Sequence, residues 1–477
     1  MNSLIILFIG CFFASSFVSA HNLTQESIEK TQAVISQVIE AYGGSEKLNQ
    51  LNSLIIEFES INLAINQSQR PDPPWDEVKM SESTKINFEK QQFVTQAQSK
   101  SDNRSFSFGT IINGEKSFEI NYRTNIAVPI AEPDFINTAA GFIRTMPALL
   151  VKKLIQRAHT SHYLGEAAVD EKPHDVVTLV MEVGPAISLY FDKKTHLLNK
   201  AERHIDGFGM LGYRFYDYIN VDGIPFNQRF VLLTNDGNNS KRNINIQVNP
   251  SIIKYTAISK DMTVETSVNP GSITRQKISD GVYLIGGDGT YAMFIEMKDH
   301  VIAVGGTAGI PERIALLKEV LPNKPIKYGV MTHHHSDHIL GVQAYADEGA
   351  VVIAAESHEN VIRSATDNKK LIVETVKKRR IFKSGDREIR IIDVGPTQHS
   401  EHLLVAYLPK EGILFQADHF NLSNAGNIRP ASKSTQDFAE NIKSAKIKAT
   451  KIFSAHSSQV ATHNDLAKAI KLGKKLN

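Results

Sequence analysis

Four histidines and an aspartate fall within six consecutive positions, His333, His334, His335, Asp337 and His338, directly after the apolar run that begins at Tyr328. A strand end followed by a loop is the element that presents such a cluster. Crowded imidazoles compete with one another for protons and solvent, and a single hydrogen-bonded core histidine does not account for four. A divalent metal ion removes the conflict by accepting their lone pairs. Alternate residues at a strand end point to one side, so His333 and His335 converge on one ion. Asp337 and His338, entering the next helix, turn toward a second. His334 points away and reads as a supporting neighbour or a bystander. Cys11 is the only cysteine in the chain, so every other transition-metal ligand must come from His, Asp or Glu.

The pattern His333-x-His335-x-Asp337-His338 resembles the signature of the metallo-β-lactamase superfamily, and with Thr332 and His334 it looks most like the glyoxalase II version. Three further motifs follow in the superfamily order. The segment Gly395-Pro-Thr-Gln-His399-Ser matches the one that gives the third histidine of the first metal, Gly412-Ile-Leu-Phe-Gln-Ala-Asp418 the one that gives a bridging carboxylate, and Lys451-Ile-Phe-Ser-Ala-His456 the one that gives the last histidine. The resemblance runs over about residues 270 to 477. It implies an αββα sandwich with two zinc ions, iron and manganese being the alternative metals. His333, His335 and His399 would hold the first ion, and Asp337, His338 and His456 the second, with Asp418 between them. It also implies that a hydroxide shared by the ions attacks the substrate, Asp337 orienting it and shuttling a proton to the leaving group. Ile339-Leu340-Gly341, Val304-Gly305-Gly306 and Ala455-His456-Ser457 depart from the common pattern; they leave the ligand set intact and put the differences in the loops. His402 reads as a substrate contact or a surface residue, and His419 as a neighbour of Asp418. His159, His162, His174 and His204 have no ligand spacing.

The remaining chain must position these residues. Its length of 477 residues predicts two domains, and 42% hydrophobic with 22% charged residues is the balance of a well-cored globular protein. With 53 basic against 51 acidic side chains the net charge is +2, which excludes the electrostatic footprint of a nucleic-acid binder. The apolar run from Leu4 to Phe13, followed by Val18-Ser19-Ala20, predicts a signal peptide over residues 1–20, and hence a periplasmic or secreted protein whose mature chain has no membrane span.

Residues 21–266 predict a β-rich domain. Helical spacing from Gln25 to Tyr42 stops at Gly43-Gly44, and period-two alternation then runs from Leu54 to about Val248, giving mainly antiparallel β structure. Ala139 to Ala158 reads as a helix plugging the sheet. This half resembles the open half-barrel of bacterial lipoprotein carrier proteins through Tyr42-Gly-Gly-Ser-Glu-Lys-Leu48 and the run from Leu189 to Leu198, which implies hydrophobic ligand capture or an accessory role. A linker is expected over about 250–271, with the boundary at Ser267. Residues 267–477 then alternate strands and helices, a layered α/β pattern. Lys377-Lys378-Arg379-Arg380 reads as a solvated basic run ending a helix.

Taken together these features predict an exported zinc-dependent hydrolase of a small-molecule ester-like bond, whether lactone, thioester or β-lactam. The competing readings are an iron-dependent oxidoreductase of the same fold and a non-catalytic ligand carrier. Nothing in the sequence bears on oligomeric state.

Overall fold

A computed structural model describes residues 23–474 apart from 100–106, 115, 124, 207–208, 235–236, 252–257, 260, 266–271, 288 and 424–425. The signal segment expected over residues 1–20 and the boundary expected at Ser267 lie outside the described residues.

The N-terminal half is built on one large sheet, fourteen-stranded among the described residues. Its strands alternate because one face is buried. In Ser53–Leu63, Leu54, Ile56 and Phe58 are buried while Glu57 and Glu59 are exposed. That strand pairs antiparallel with Glu77–Asn87 on one side and Gly237–Val248 on the other. The buried face packs against the helices Leu23–Ala41, Phe135–Ile143 and Pro147–Gln156 in one continuous apolar cluster. The opening helix stops as expected. Gly43 has a φ of 88°, and a Cβ there would lie 2.3 Å from the Gly223 carbonyl oxygen, so only glycine fits. The single helix expected from Ala139 to Ala158 is instead two, broken before Pro147. Proline cannot donate the helical hydrogen bond and drives Met146 into an extended conformation, with φ −124° and ψ 99°.

The C-terminal half is an αββα sandwich, the mixed α/β architecture anticipated for it. Its seven-stranded sheet runs from Thr274–Ser279 to Ile372–Val376, antiparallel through Val301–Val304 and parallel beyond. The six-stranded sheet runs from Arg379–Ser384 to Ser457–Ala461. The inner faces meet through Leu284, Met293, Val330 and Ile353 on one side and Ile391, Leu404, Phe415 and Phe453 on the other. The outer face of the first sheet is covered by Ile310–Lys318 and Val342–Asp347, that of the second by Lys433–Ser444 and His463–Gly473. Strands covered on both faces read as unbroken apolar runs; Val282–Gly286 and Leu404–Leu408 are buried at every residue. Among the described residues no helix is long and apolar enough to cross a membrane.

The basic run is a correction. Lys377 and Lys378 lie in the turn where the chain leaves strand Ile372–Val376 of the first sheet for Arg379–Ser384 of the second, with no helix before them. The β-branched residues Ile372, Val373, Thr375 and Val376 favour the strand.

Arg313, fully buried on the helix Ile310–Lys318, ties the first sheet to the loop after Val304. Its guanidinium donates to the carbonyls of Ile285 at 3.2 Å, Ala308 at 2.6 Å and Thr290 at 3.0 Å. Arg313→Met would come close in volume and remove the guanidinium's hydrogen bonds to those carbonyls. The expected result is a loss of about 3 kcal/mol in denaturant unfolding; an unchanged midpoint would show that the network is not needed.

Candidate metal centre

The predicted residues arrive at one edge of the sandwich, each on a loop that leaves a buried strand. His333 to His338 follow Ile326–Val330, with a 3-10 turn over Ser336–His338 in place of a direct helix entry. His399 lies between strands Arg387–Asp393 and Leu404–Leu408, Asp418 follows Ile413–Gln416, and His456 follows Lys451–Ser454. Backbone bonds lock these loops together: Leu404 donates to the Thr332 carbonyl at 2.8 Å, and Ala455 to that of Gln416 at 3.1 Å.

The side chains meet in two adjoining groups, one of His333, His335, His399 and Asp418, the other of Asp337, His338 and His456. Within each group one candidate ligand atom per residue lies within 4.8 Å of all the others. Asp418 belongs to both by distance. Its Oδ2 is 3.1 Å from His333 Nε2 and 2.8 Å from His399 Nε2, while its Oδ1 is 2.8 Å from both His338 Nε2 and His456 Nε2. The ring nitrogens also crowd one another, His333 against His399 at 3.2 Å and His338 against His456 at 3.2 Å.

Electrostatics fit a cation. Burial, then the neighbouring rings of His335 and His338, push His333 well below the ordinary imidazole range, and burial does the same to His335, so both are neutral with a lone pair free. Burial would raise Asp418, but His338 and His333 outweigh it and keep the carboxylate ionised. For His338 burial is outweighed by Asp418 and Asp337, which raise it to about 10. A proton held there between two carboxylates occupies the place a metal would take. The Nδ1 of His335 is buried with no hydrogen-bond partner, a lone pair placed to bind a cation. An all-nitrogen-and-oxygen donor set of this kind suits a divalent metal.

Residues 285–456 match the family model of the metallo-beta-lactamase superfamily. The C-terminal region is a metallo-β-lactamase superfamily domain. Solved structures similar to it include a metallo-beta-lactamase from Pontibacter korlensis, with 20% identity over 43% of this chain and 99% of that one and a TM-score of 0.35. Another is the metallo-beta-lactamase from Hirschia baltica, with 22% identity over 42% of this chain and 97% of that one at a TM-score of 0.34. The flavodiiron protein from Giardia intestinalis matches at 19% identity over 43% of this chain and 60% of that one, TM-score 0.34. No curated protein matches the chain.

Around these two groups, one of the departures noted in the sequence has a local reason. Gly306 packs under the histidine loop, where a Cβ would lie 2.4 Å from the His338 carbonyl oxygen, so no larger side chain has room there. His334 turns away from the two groups, as read from the strand alternation. Its ring packs at a tilt of 53° with its centroid 4.6 Å from that of His358, and burial lowers it to about 4. His358, buried behind the site, was not anticipated. His402 is paired through Nδ1 with Asp393 Oδ2 at 2.6 Å, and Asp393 also accepts from the backbone of Gly395 and Leu403, bracing the His399 loop. His419 is buried and, lowered by burial to about 3, bonds to Thr397 Oγ1 at 2.8 Å. His159, His162, His174 and His204 take no part in either group.

One contribution comes from the N-terminal half. Gln67 Nε2 donates to Asp337 Oδ1 at 2.9 Å, and the Ser68 carbonyl accepts from His335 Nε2 at 2.9 Å. Neither residue carries a motif that spacing alone would pick out.

Proposed function

We propose that this protein is an exported, zinc-dependent hydrolase that cleaves an ester-like bond of a small molecule, whether lactone, thioester or β-lactam. The observation that carries the reading is Asp418, whose two oxygens face two separate groups of imidazoles at 2.8 to 3.1 Å. His333, His335 and His399 would hold one zinc and Asp337, His338 and His456 the other, Asp418 serving both. When bound, such a pair supplies Lewis acidity and lowers the pKa of water so that hydroxide is present near neutral pH.

The protein's own part is positioning and proton handling. Neutral His333 and His335 offer lone pairs without a proton to lose, and ionised Asp418 offsets the charge brought into a buried site. Asp337 is half-exposed and held ionised, burial being outweighed by the His338 hydrogen bond, so it can take a proton from the attacking water and return it to the leaving group. Among the described residues no cysteine lies near the groups, which supports the glyoxalase II-like and lactonase-like versions of the site over versions with a sulfur ligand. The balanced net charge supports a small-molecule substrate and not nucleic acid.

The accompanying organisation is a cleaved leader over residues 1–20, a β-rich domain over 21–266 that resembles the lipoprotein-carrier half-barrel, and a catalytic domain over 267–477, working in the periplasm or outside the cell. The test joins elemental analysis of purified protein to a panel of lactones, thioesters and β-lactams. Chelator-sensitive hydrolysis of one class by protein carrying two zinc ions is the expected result. Stoichiometric iron with a visible absorption band, or zinc-loaded protein inert to the whole panel, would overturn it.

A further inference from the structure

The loop of residues 64–76 joins the strands Ser53–Leu63 and Glu77–Asn87 of the N-terminal sheet, yet its tip lies in the metal centre. It grips two of the histidine-bearing loops. On one side the Asn66 carbonyl accepts from Ser336 N at 3.2 Å, and Gln67 Nε2 reaches Ser336 Oγ at 3.2 Å as well as Asp337 Oδ1. On the other, Gln69 donates through Nε2 to the Thr397 carbonyl at 2.5 Å, and its own carbonyl accepts from Glu401 N at 2.8 Å.

The loop is braced for this task. Asp76 Oδ2 accepts from Gln69 N at 2.9 Å, Asp76 N donates to Ser68 Oγ at 2.8 Å, and Ser68 is fully buried. A flexible insertion would not close such a ring of bonds.

Two of these contacts select which atoms face the ions. A carbonyl can only accept, so the 2.9 Å contact with Ser68 puts the His335 proton on Nε2 and leaves Nδ1 as the donor atom. That Nδ1 is the buried ring nitrogen with no hydrogen-bond partner. A carboxylate likewise only accepts, so Gln67 occupies Asp337 Oδ1 with its amide N–H and leaves Oδ2, 3.3 Å from His338 Nε2, turned to the second group.

We propose that residues 64–76 are a built-in part of the metal centre, with Gln67 as the positioning residue for Asp337 and the Ser68 carbonyl as that for His335, so that the N-terminal half governs how tightly metal is retained. Resting on the metal-centre reading above, this goes further by assigning a role to the other half of the chain. Groups that orient metal ligands from behind change affinity by about 10 to 100-fold when removed.

The test uses the full chain, wild type and Gln67→Met, which keeps side-chain length and loses the donor. Gln67→Asn, which keeps the amide and cannot reach, is the second variant. Zinc affinity of each site is measured by competition with a chromophoric chelator, and cobalt(II) substitution reports the coordination geometry. Both variants are expected to bind the second ion about 10 to 100-fold more weakly with an altered cobalt spectrum, while the metal-free proteins unfold at the wild-type temperature. Affinities and spectra equal to wild type in both variants would overturn the role of Gln67 and leave the metal centre standing. Wild-type protein that binds no zinc at all would overturn the underlying reading itself.

Discussion

Asp418→Ala is expected to leave the protein folded but to lose at least one bound metal ion and to lower turnover by about a thousandfold or more. The size follows from position. Among the described residues the Asp418 carboxylate is the one group within 3.1 Å of imidazoles from both halves of the centre, so on the proposed two-ion reading deleting it would remove a ligand from both. It also removes the negative charge that offsets them in a buried site, a loss of several kcal/mol in a centre of this type. Each 1.36 kcal/mol of lost transition-state stabilisation is a factor of ten in rate. Asp418→Asn, which keeps shape and loses charge, should fall between wild type and alanine in metal affinity. Purified Asp418→Ala with two metals and full turnover would mean that the carboxylate does not bridge.

Removing metal from wild-type protein should lower its unfolding midpoint by about 10 °C, and added zinc should restore it. A ligand present at about a thousand times its dissociation constant stabilises the folded state by roughly 4 kcal/mol. A sandwich the size of this one shifts by about 2 to 4 °C per kcal/mol. The groups bring together loops from both sheets, since His333 to His338 follow a strand of the first while His399, Asp418 and His456 adjoin strands of the second. Those imidazoles converge on one carboxylate with ring nitrogens 3.2 Å apart, a crowding that a bound cation would relieve. Calorimetry before and after chelation is the measurement. Identical traces, with chelation verified by elemental analysis, would show that the cluster holds together without metal.

Much of the C-terminal half was legible because its physics is local. Strands covered on both faces announce themselves as apolar runs, as at Val282–Gly286 and Leu404–Leu408. His333, His335, Asp337 and His338 were readable because imidazoles crowded onto one short loop repel one another's protons unless a metal ion takes up their lone pairs. His399, Asp418 and His456 were readable through the order of their motifs, and the fold brings them to the same place. The failures have physical causes too. The break before Pro147 is a proline effect that the repeat of Leu149, Leu150 and Leu154 masked. Before Lys377 to Arg380 the β-branched residues of Ile372–Val376 decide the strand, and the charges that follow carry no conformational signal.

Gln67 and Ser68 were invisible for a different reason. Gln67 is an ordinary polar residue in a loop, 270 positions from the aspartate it holds, and Ser68 acts through a backbone carbonyl that every residue type carries. His358 is a single histidine whose burial against His334 depends on the packing of the finished fold. Such contacts are set by tertiary structure and leave no periodicity or spacing to read.

The most direct measurement is anomalous diffraction at the zinc edge from crystals of the full chain grown with zinc. Two peaks are predicted about 3.5 to 4 Å apart, one among His333, His335 and His399, the other among Asp337, His338 and His456, with Asp418 between them. Crystals in which this cluster carries no anomalous density, or in which zinc sits only elsewhere on the molecule, would contradict the account.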